Sequence, residues 1–317
     1  MKGRFVKENT ALHIYQRSAD RGLLFYTSRD FIVYLTVICI MARKKGVVVL
    51  AVSPMVDHTH LSLRAASRAE VFPFMQEVNK TYSRLFNSSV GRSGALFEKS
   101  FGCSVKSGDK AIRTNYSYVN NNAVEKKLVA RAECYKWNLL AYAVSKHPFS
   151  EKIKLREASM PLRRALKEVA IMRKKEKPLN HAMLDRWFNG LGNKEKNQLT
   201  DYILNAYNCI DYKALDQLYG SYEKACLAFA SNQGSEYDIQ EDYEAGSNRI
   251  YAQIGNVLIT RHGFKNPKEV LSLPLPEQVS LLNDLLFETK ATERNLEKYF
   301  HIRKVRRPRK KAVGVKR

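Results

Sequence analysis

The chain predicts an α+β fold: a small antiparallel sheet layered with helices, followed by an all-α C-terminal domain. Three observations carry this reading. Alternating and β-branched runs occur only before about residue 150. They are interleaved with helical stretches, the order expected of a sheet with helices on one face. Beyond that point strand-like runs vanish and helical periodicity dominates. With 317 residues, 44% of them hydrophobic, the chain can build two packed domains. The change in texture places a boundary near Lys146-His147-Pro148. This gives a first domain over 1–148, a helical second domain over 149–302 and a basic, disordered tail over 303–317.

In chain order, residues 11–16 alternate as a strand. Residues 30–44 contain the longest apolar run, from Phe31 to Met41, closed by Arg43-Lys44-Lys45-Gly46. The run falls short of the roughly 20 residues that span a bilayer, so it reads as a buried helix. Residues 47–52 form a β-branched strand that Ser53-Pro54 ends. Residues 58–63 follow after a tight connection and pair with it antiparallel. A helix over 68–86 leads to a Ser- and Gly-containing flexible loop over 87–94, a return to the sheet over 96–105 and a helix over 109–122. Further helices are expected over 154–175, 194–207, 222–230 and 248–260, with a polar, acidic loop over 231–247. Residues 276–302 resemble a helix-turn-helix, with Thr292 capping its second helix and Arg294, Asn295 and Lys298 projecting outward. An ordinary helical hairpin with a basic rim accounts for the same residues equally well.

Lys and Arg number 54 against 31 Asp and Glu, a formal net charge of +23. Such an excess favours a polyanion, with nucleic acid foremost. A membrane partner is disfavoured, because the basic residues do not gather on one amphipathic helix. Residues 1–8 carry no secretory apolar region. The five cysteines, at 39, 103, 134, 209 and 226, lack short paired spacing and fit reduced thiols in a cytoplasmic protein.

The most informative residues are His58, His60, Tyr118 and Asn122. On a strand, His58 and His60 share the face opposite Leu61 and Leu63. Tyr118 and Asn122, four apart on a helix, also share a face. Two imidazoles and an amide oxygen can hold a divalent cation with coordination positions left open. Oxygen-rich, open coordination suits Mg²⁺ or Mn²⁺; zinc would ordinarily have more sulfur or histidine nearby. A tyrosine beside that cation is a nucleophile for a phosphodiester, and the whole is a DNA-nicking site. The plainer readings are a satisfied histidine pair and one packing tyrosine among 17. Tyr116, with Asn120 four residues on, has the same spacing. His147, His181, His262 and His301 lack ligand-like spacing and read as structural, while Trp187 and Phe188 read as core.

Three motifs then bring a family to view. Met55-Val56-Asp57-His58-Thr59-His60-Leu61 is similar to a Met-Pro-Asn-His-aliphatic-His-Leu strand. Arg92-Ser93-Gly94-Ala95-Leu96-Phe97-Glu98-Lys99-Ser100-Phe101 is similar to a Gly/Ser loop entering a Leu-Trp-x-x-x-Phe-like strand. Tyr118-Val119-Asn120-Asn121-Asn122-Ala123-Val124, with Lys127-Leu128-Val129, is similar to Tyr-Ile-His-x-Asn-Pro-Val and Gly-Leu-Val. Tyr135-Lys136-Trp137 matches a closing Tyr-x-Trp. In this order the motifs resemble the single-tyrosine HUH transposases, especially the REP-associated tyrosine transposases with an IS200-like domain, over roughly residues 5–145. Thr59, Val56 and Ala123 depart from the pattern without removing a reacting group.

The resemblance implies a ferredoxin-like HUH nuclease sheet and Tyr118, not Tyr116, as the nucleophile. It implies His58, His60 and Asn122 as the ligands of Mg²⁺ or Mn²⁺. It also implies a 5′-phosphotyrosine intermediate and single-stranded or hairpin DNA as substrate. Arg92, Lys99, Arg294, Asn295, Lys298, Arg306 and Arg307 are the expected DNA contacts, and a homodimer is compatible with the chain. The rival function is a domesticated protein that binds hairpins or regulates without cutting. An RNA-binding ferredoxin-like domain would give the two histidines no purpose.

Overall fold

The structure, a computed structural model, describes residues 10–65, 68–231 and 247–302. Its first half runs β1 (Thr10–Arg17), α1 (Ser28–Lys45), β2 (Val48–Met55), β3 (His58–Arg64), α2 (Arg68–Val90), β4 (Gly102–Ser107) and α3 (Asp109–Glu125). The strands make one sheet in the order β2-β3-β1-β4, with every pairing antiparallel. Two crossovers, through α1 and α2, each skip one strand, so this is the ferredoxin-like arrangement that the resemblance implies. A mid-chain segment of short turns leads to α4 (Met160–Lys174), α5 (His181–Phe188), α6 (Asn193–Tyr207), α7 (Tyr212–Tyr219), α8 (Tyr222–Ser231), α9 (Ser247–Thr260), α10 (Leu275–Glu288) and α11 (Glu293–Phe300). No helix among the described residues is long and apolar enough to cross a membrane.

Alternation along the strands divides the sheet into two chemically different faces. Leu12, Ile14, Leu61 and Leu63 are buried under α1 and α2, where Phe25, Tyr34, Phe74 and Tyr82 extend the core. Thr59 lies on this core side and is fully buried. His13, Tyr15, His58, His60 and Ser62 occupy the opposite face, against α3. The sheet therefore has helices on both faces, not one. The histidine face is sealed because α3 lays Ile112, Tyr116 and Val119 against Ala11, Leu50 and Ala51.

Several boundaries shift for local reasons. β2 continues through Ser53 and Pro54 to Met55. It is an edge strand, where a missing N–H costs no ladder bond, and Pro54 keeps its carbonyl bonded to Tyr135 Oη at 2.7 Å. Helix α2 runs on to Val90, shortening the expected loop. The expected return over 96–105 becomes strand only from Gly102, in a β4 that runs on to Ser107, with Phe97 making an isolated bridge to Ser18. Helix α4 starts at Met160, because Ser159 Oγ caps the Leu162 N–H at 3.2 Å and Pro161 fits the first turn. The two-turn helices α5 and α7 escape a periodicity reading, yet Asn180 and Asp211 cap them. Most of the expected acidic loop, residues 232–246, lies outside the described residues, as does the basic tail after 302. Cys39 and Cys209 meet in the core, their sulfurs 2.7 Å apart in a thiol hydrogen bond.

The C-terminal helices add to the first core. Val169, Leu184, Leu204, Leu258, Leu285, Leu296, Tyr299 and Phe300 belong to the same contiguous apolar cluster as Leu12, Ile32 and Leu61. Helix α1 is buried nearly all round for this reason, with the sheet on one side and α5 and α6 on the other.

Candidate active site

The site is built where β1 ends, β3 begins and α3 crosses them. In the β1–β3 register Tyr15 faces His60, and Arg17 faces His58. His13 and Tyr15 therefore alternate onto the histidine face. His13 Nε2 and His60 Nδ1 share a hydrogen bond of 3.0 Å. The Tyr118 ring stands edge-on to both imidazoles, with centroids 5.2 Å from His60 and 5.4 Å from His13. Tyr15 lies over His60 at 4.8 Å and His58 at 5.5 Å. Its hydroxyl accepts from Arg17 Nε, and the Arg17 guanidinium sits 4.8 Å above the ring.

His58 is held from both sides. Its Nδ1 meets Asp57 Oδ1 at 2.6 Å, and its Nε2 meets Lys126 Nζ at 3.3 Å. Burial alone would raise the Asp57 carboxyl. The charge and hydrogen bond of His58, with Lys298 and Lys126, outweigh that and bring it down to about 2. An ionised carboxylate only accepts, so Nδ1 donates to Asp57, while Nε2 faces the Lys126 ammonium. His60 likewise uses Nδ1 internally, toward His13. In each imidazole Nδ1 is thus committed to an orienting partner, as in metal-ligating histidines; at His58 a cation would take the place now held by the Lys126 ammonium.

Helix α3 assigns its polar residues one by one. Asn115 Nδ2 donates to Ser62 Oγ at 2.6 Å and pins the helix to β3. Asn120 Nδ2 donates to the Tyr116 carbonyl at 3.0 Å, and Asn121 Nδ2 to the Phe229 carbonyl at 2.7 Å. Asn122, 1% exposed, has a buried Oδ1 that accepts no hydrogen bond. A buried carbonyl oxygen in that state is costly unless something electropositive meets it. An amide oxygen of this kind and imidazole nitrogens are donor types that a divalent cation accepts. No three His, Cys, Asp or Glu side chains among the described residues cluster as a metal site; the candidate set here depends on the amide. Tyr116 points elsewhere, edge-on to Tyr219 of α7 at 6.5 Å, in a core that pushes its phenol pKa far up by burial.

The expected DNA contacts are scattered. Arg92 is engaged in its own loop, donating to Asn87 Oδ1 at 2.9 Å and the Ala95 carbonyl at 3.2 Å. Lys99 is exposed beside Phe72 and Phe101, away from the histidines. Asn295 does not project outward. It is 2% exposed, and its Oδ1 accepts from the Thr292 N–H at 3.0 Å in a capping box, because the cap of so short a helix turns inward. Arg294 and Lys298 of that helix, however, line a pocket with His58, Asp57, Tyr15, Arg17, Arg21 and Lys126. Arg306 and Arg307 lie outside the described residues. The sequence reading missed His13, Tyr15, Arg17, Arg21, Asp57 and Lys126. The alternation of His13, Tyr15 and Arg17 was the available signal, but only the β1–β3 pairing shows which face it joins.

Residues 7–122 match the family model described as Transposase IS200 like. A solved structure of a REP-associated tyrosine transposase bound to a REP hairpin is 13% identical, with a TM-score of 0.37 over 49% of this chain and 92% of that one. No curated protein matches the chain.

Proposed function

We propose, on the premise that residues 7–122 are an IS200-like transposase domain, that the chain is a transposase or recombinase that nicks and rejoins single-stranded DNA. The DNA is folded as a hairpin near the cut. Tyr118 is the nucleophile, and His58, His60 and Asn122 hold a divalent cation, Mg²⁺ or Mn²⁺. The observation that carries the reading is the juxtaposition of the Tyr118 ring with the His60 imidazole, with centroids 5.2 Å apart.

A phenol with a reference pKa of about 10 is a weak nucleophile at neutral pH and needs both direction and charge compensation. His13 and His60 flank the Tyr118 ring and fix its approach. When bound, the cation polarises the scissile phosphate and stabilises charge on its oxygens. Tyr118 Oη forms a bond to phosphorus as the P–O3′ bond breaks; the phenol gives up its proton and the departing O3′ gains one. The 5′-phosphotyrosine keeps the phosphodiester energy, so a 3′-OH can reverse the step without a nucleotide cofactor.

Incubation with single-stranded fragments from the DNA flanking its own gene tests this. A covalent protein–DNA adduct should form with Mn²⁺, vanish in EDTA and be absent from Tyr118→Phe. Tyr116→Phe should retain it. Undiminished adduct in EDTA would sink the metal assignment, and adduct on Tyr118→Phe would sink the nucleophile. DNA bound tightly but never cut, with Mn²⁺ present, would favour the domesticated, non-cleaving reading.

A further inference from the structure

The pocket beside His58 is unusually basic. Arg17, Arg21, Lys126, Arg294 and Lys298 line it, against the single carboxylate of Asp57. These cations come from four separate places: the end of β1, the turn after it, the end of α3 and helix α11. Bringing like charges together is unfavourable unless an anion is to be held there. The turn that presents Arg21 is itself strained. Asp20 and Arg21 adopt consecutive left-handed conformations, with φ of 61° and 58°, which a residue with a Cβ adopts only at a cost. Helix α11 is held with equal care. Leu296, Tyr299 and Phe300 are buried in the common core, and the Tyr26 hydroxyl donates to the Tyr299 carbonyl at 2.5 Å. His301 Nε2 donates to the Leu23 carbonyl at 2.8 Å. Lys298 Nζ lies 3.9 Å from Asp57 Oδ2, one residue from His58.

We infer that this pocket binds a backbone phosphate of the DNA strand next to the one being cut, and that Arg294 and Lys298 of α11 are positioning residues for that strand. The inference rests on the proposed nicking reading for which phosphate lies nearby, but not for the binding itself. It replaces base reading by α11 with phosphate contact. The helix is only two turns long, its Asn295 is turned inward, and its two cations face the histidine end of the sheet. A helix far beyond the nucleophile in sequence thereby becomes part of the wall of the first domain's site.

The test measures binding apart from cutting. Full-length protein is titrated with a 20-nucleotide oligothymidylate in EDTA across a salt series. Arg294→Gln/Lys298→Gln should weaken binding on the order of tenfold at low salt and lower the salt slope by about one. Lys167→Gln/Lys174→Gln, the same charge loss on α4, should change neither. Arg294→Lys/Lys298→Arg should restore binding. Equal loss in the α4 control, or no rescue by the charge-conserving pair, overturns the inference. If the double Gln variant fails to fold, Arg21→Gln on the facing turn decides: unchanged binding there overturns the pocket, and weakened binding supports it. Adduct formation with Mn²⁺ is scored separately. Loss of the nicking reading with weakened EDTA binding would leave the phosphate pocket standing, and the converse would leave the nuclease without it.

Discussion

At the scale of single residues, the run Asn120-Asn121-Asn122 shows how like side chains part company. Two of the three amides serve the fold, one bonding back along α3 and one reaching the Phe229 carbonyl of α8. The third keeps a buried oxygen without a hydrogen bond. Asn121→Ala should therefore cost about 1–3 kcal/mol, the price of a buried carbonyl left unsatisfied, while leaving the Mn²⁺ requirement alone. Asn122→Ala should change stability little yet raise the Mn²⁺ needed for half-maximal adduct roughly tenfold. Denaturant midpoints and a metal titration of adduct yield separate the two; a shifted metal requirement in Asn121→Ala but not Asn122→Ala would assign the ligand wrongly. His58, His60, Tyr118 and Asn122 were legible beforehand because each pair obeys a local period, two on a strand and four on a helix. Tyr116 and Asn120 obey the same period. Only the packing of α3, with Tyr116 turned to Tyr219 and Tyr118 to His60, tells the pairs apart geometrically.

At the scale of elements, α11 keeps its expected cap at Thr292 but turns Asn295, one of its three expected outward residues, inward. The helix docks against the 22–26 segment. Gly22 permits this: a Cβ there would lie 2.3 Å from the His301 ring. Gly22→Ala should push His301 away and loosen α11 while the sheet remains intact. Binding of oligothymidylate should weaken as in the Arg294/Lys298 variant, with far-ultraviolet circular dichroism nearly unchanged; full binding in Gly22→Ala would show that the close approach is dispensable. Protonation should do the same reversibly. Burial, aided by the Arg92 charge, pulls the His301 pKa down to about 4, against a partial upward pull from the Leu23 carbonyl. A pKa below the ordinary value near 6.5 means the docked helix favours neutral imidazole. Its contribution is complete above that value and is lost as pH falls from about 6.5 toward 4. Proteolysis after Ile302-proximal residues, followed across this window, should accelerate on acidification in the native protein and much less in His301→Gln.

At the scale of the whole molecule, the two halves share one core, and a buried charge cluster joins them. Asp30, at the start of α1, accepts from Lys268 Nζ at 2.7 Å and from His181 at 2.8 Å, and also from the Tyr26 and Thr27 N–H groups. Asp30 and Lys268 are both fully buried. Burial would raise the Asp30 carboxyl, but Lys268 and His181 together hold it well below the ordinary range. None of this was legible in the sequence. The three residues lie as far as 238 positions apart, and a lone lysine in a helical stretch reads as solvent-facing. A fragment ending near residue 150 would keep every proposed reacting group, yet leave Asp30 buried without Lys268 or His181 and uncover α1. Breaking a buried ion pair from one side costs about 3–5 kcal/mol, whereas replacing both partners is often nearly neutral. Lys268→Met should thus lower the denaturant midpoint sharply and take adduct formation down with it, through the shared core. Asp30→Asn added to Lys268→Met should recover much of the loss, giving a coupling energy that the two single variants cannot explain by addition. Acid should mimic the single variant, since a carboxyl held low stabilises the fold only while ionised and forfeits that contribution as pH drops below the ordinary carboxylate value. If Lys268→Met left the first half's adduct chemistry intact while the C-terminal helices melted, the halves would be independent and the shared core would carry no coupling.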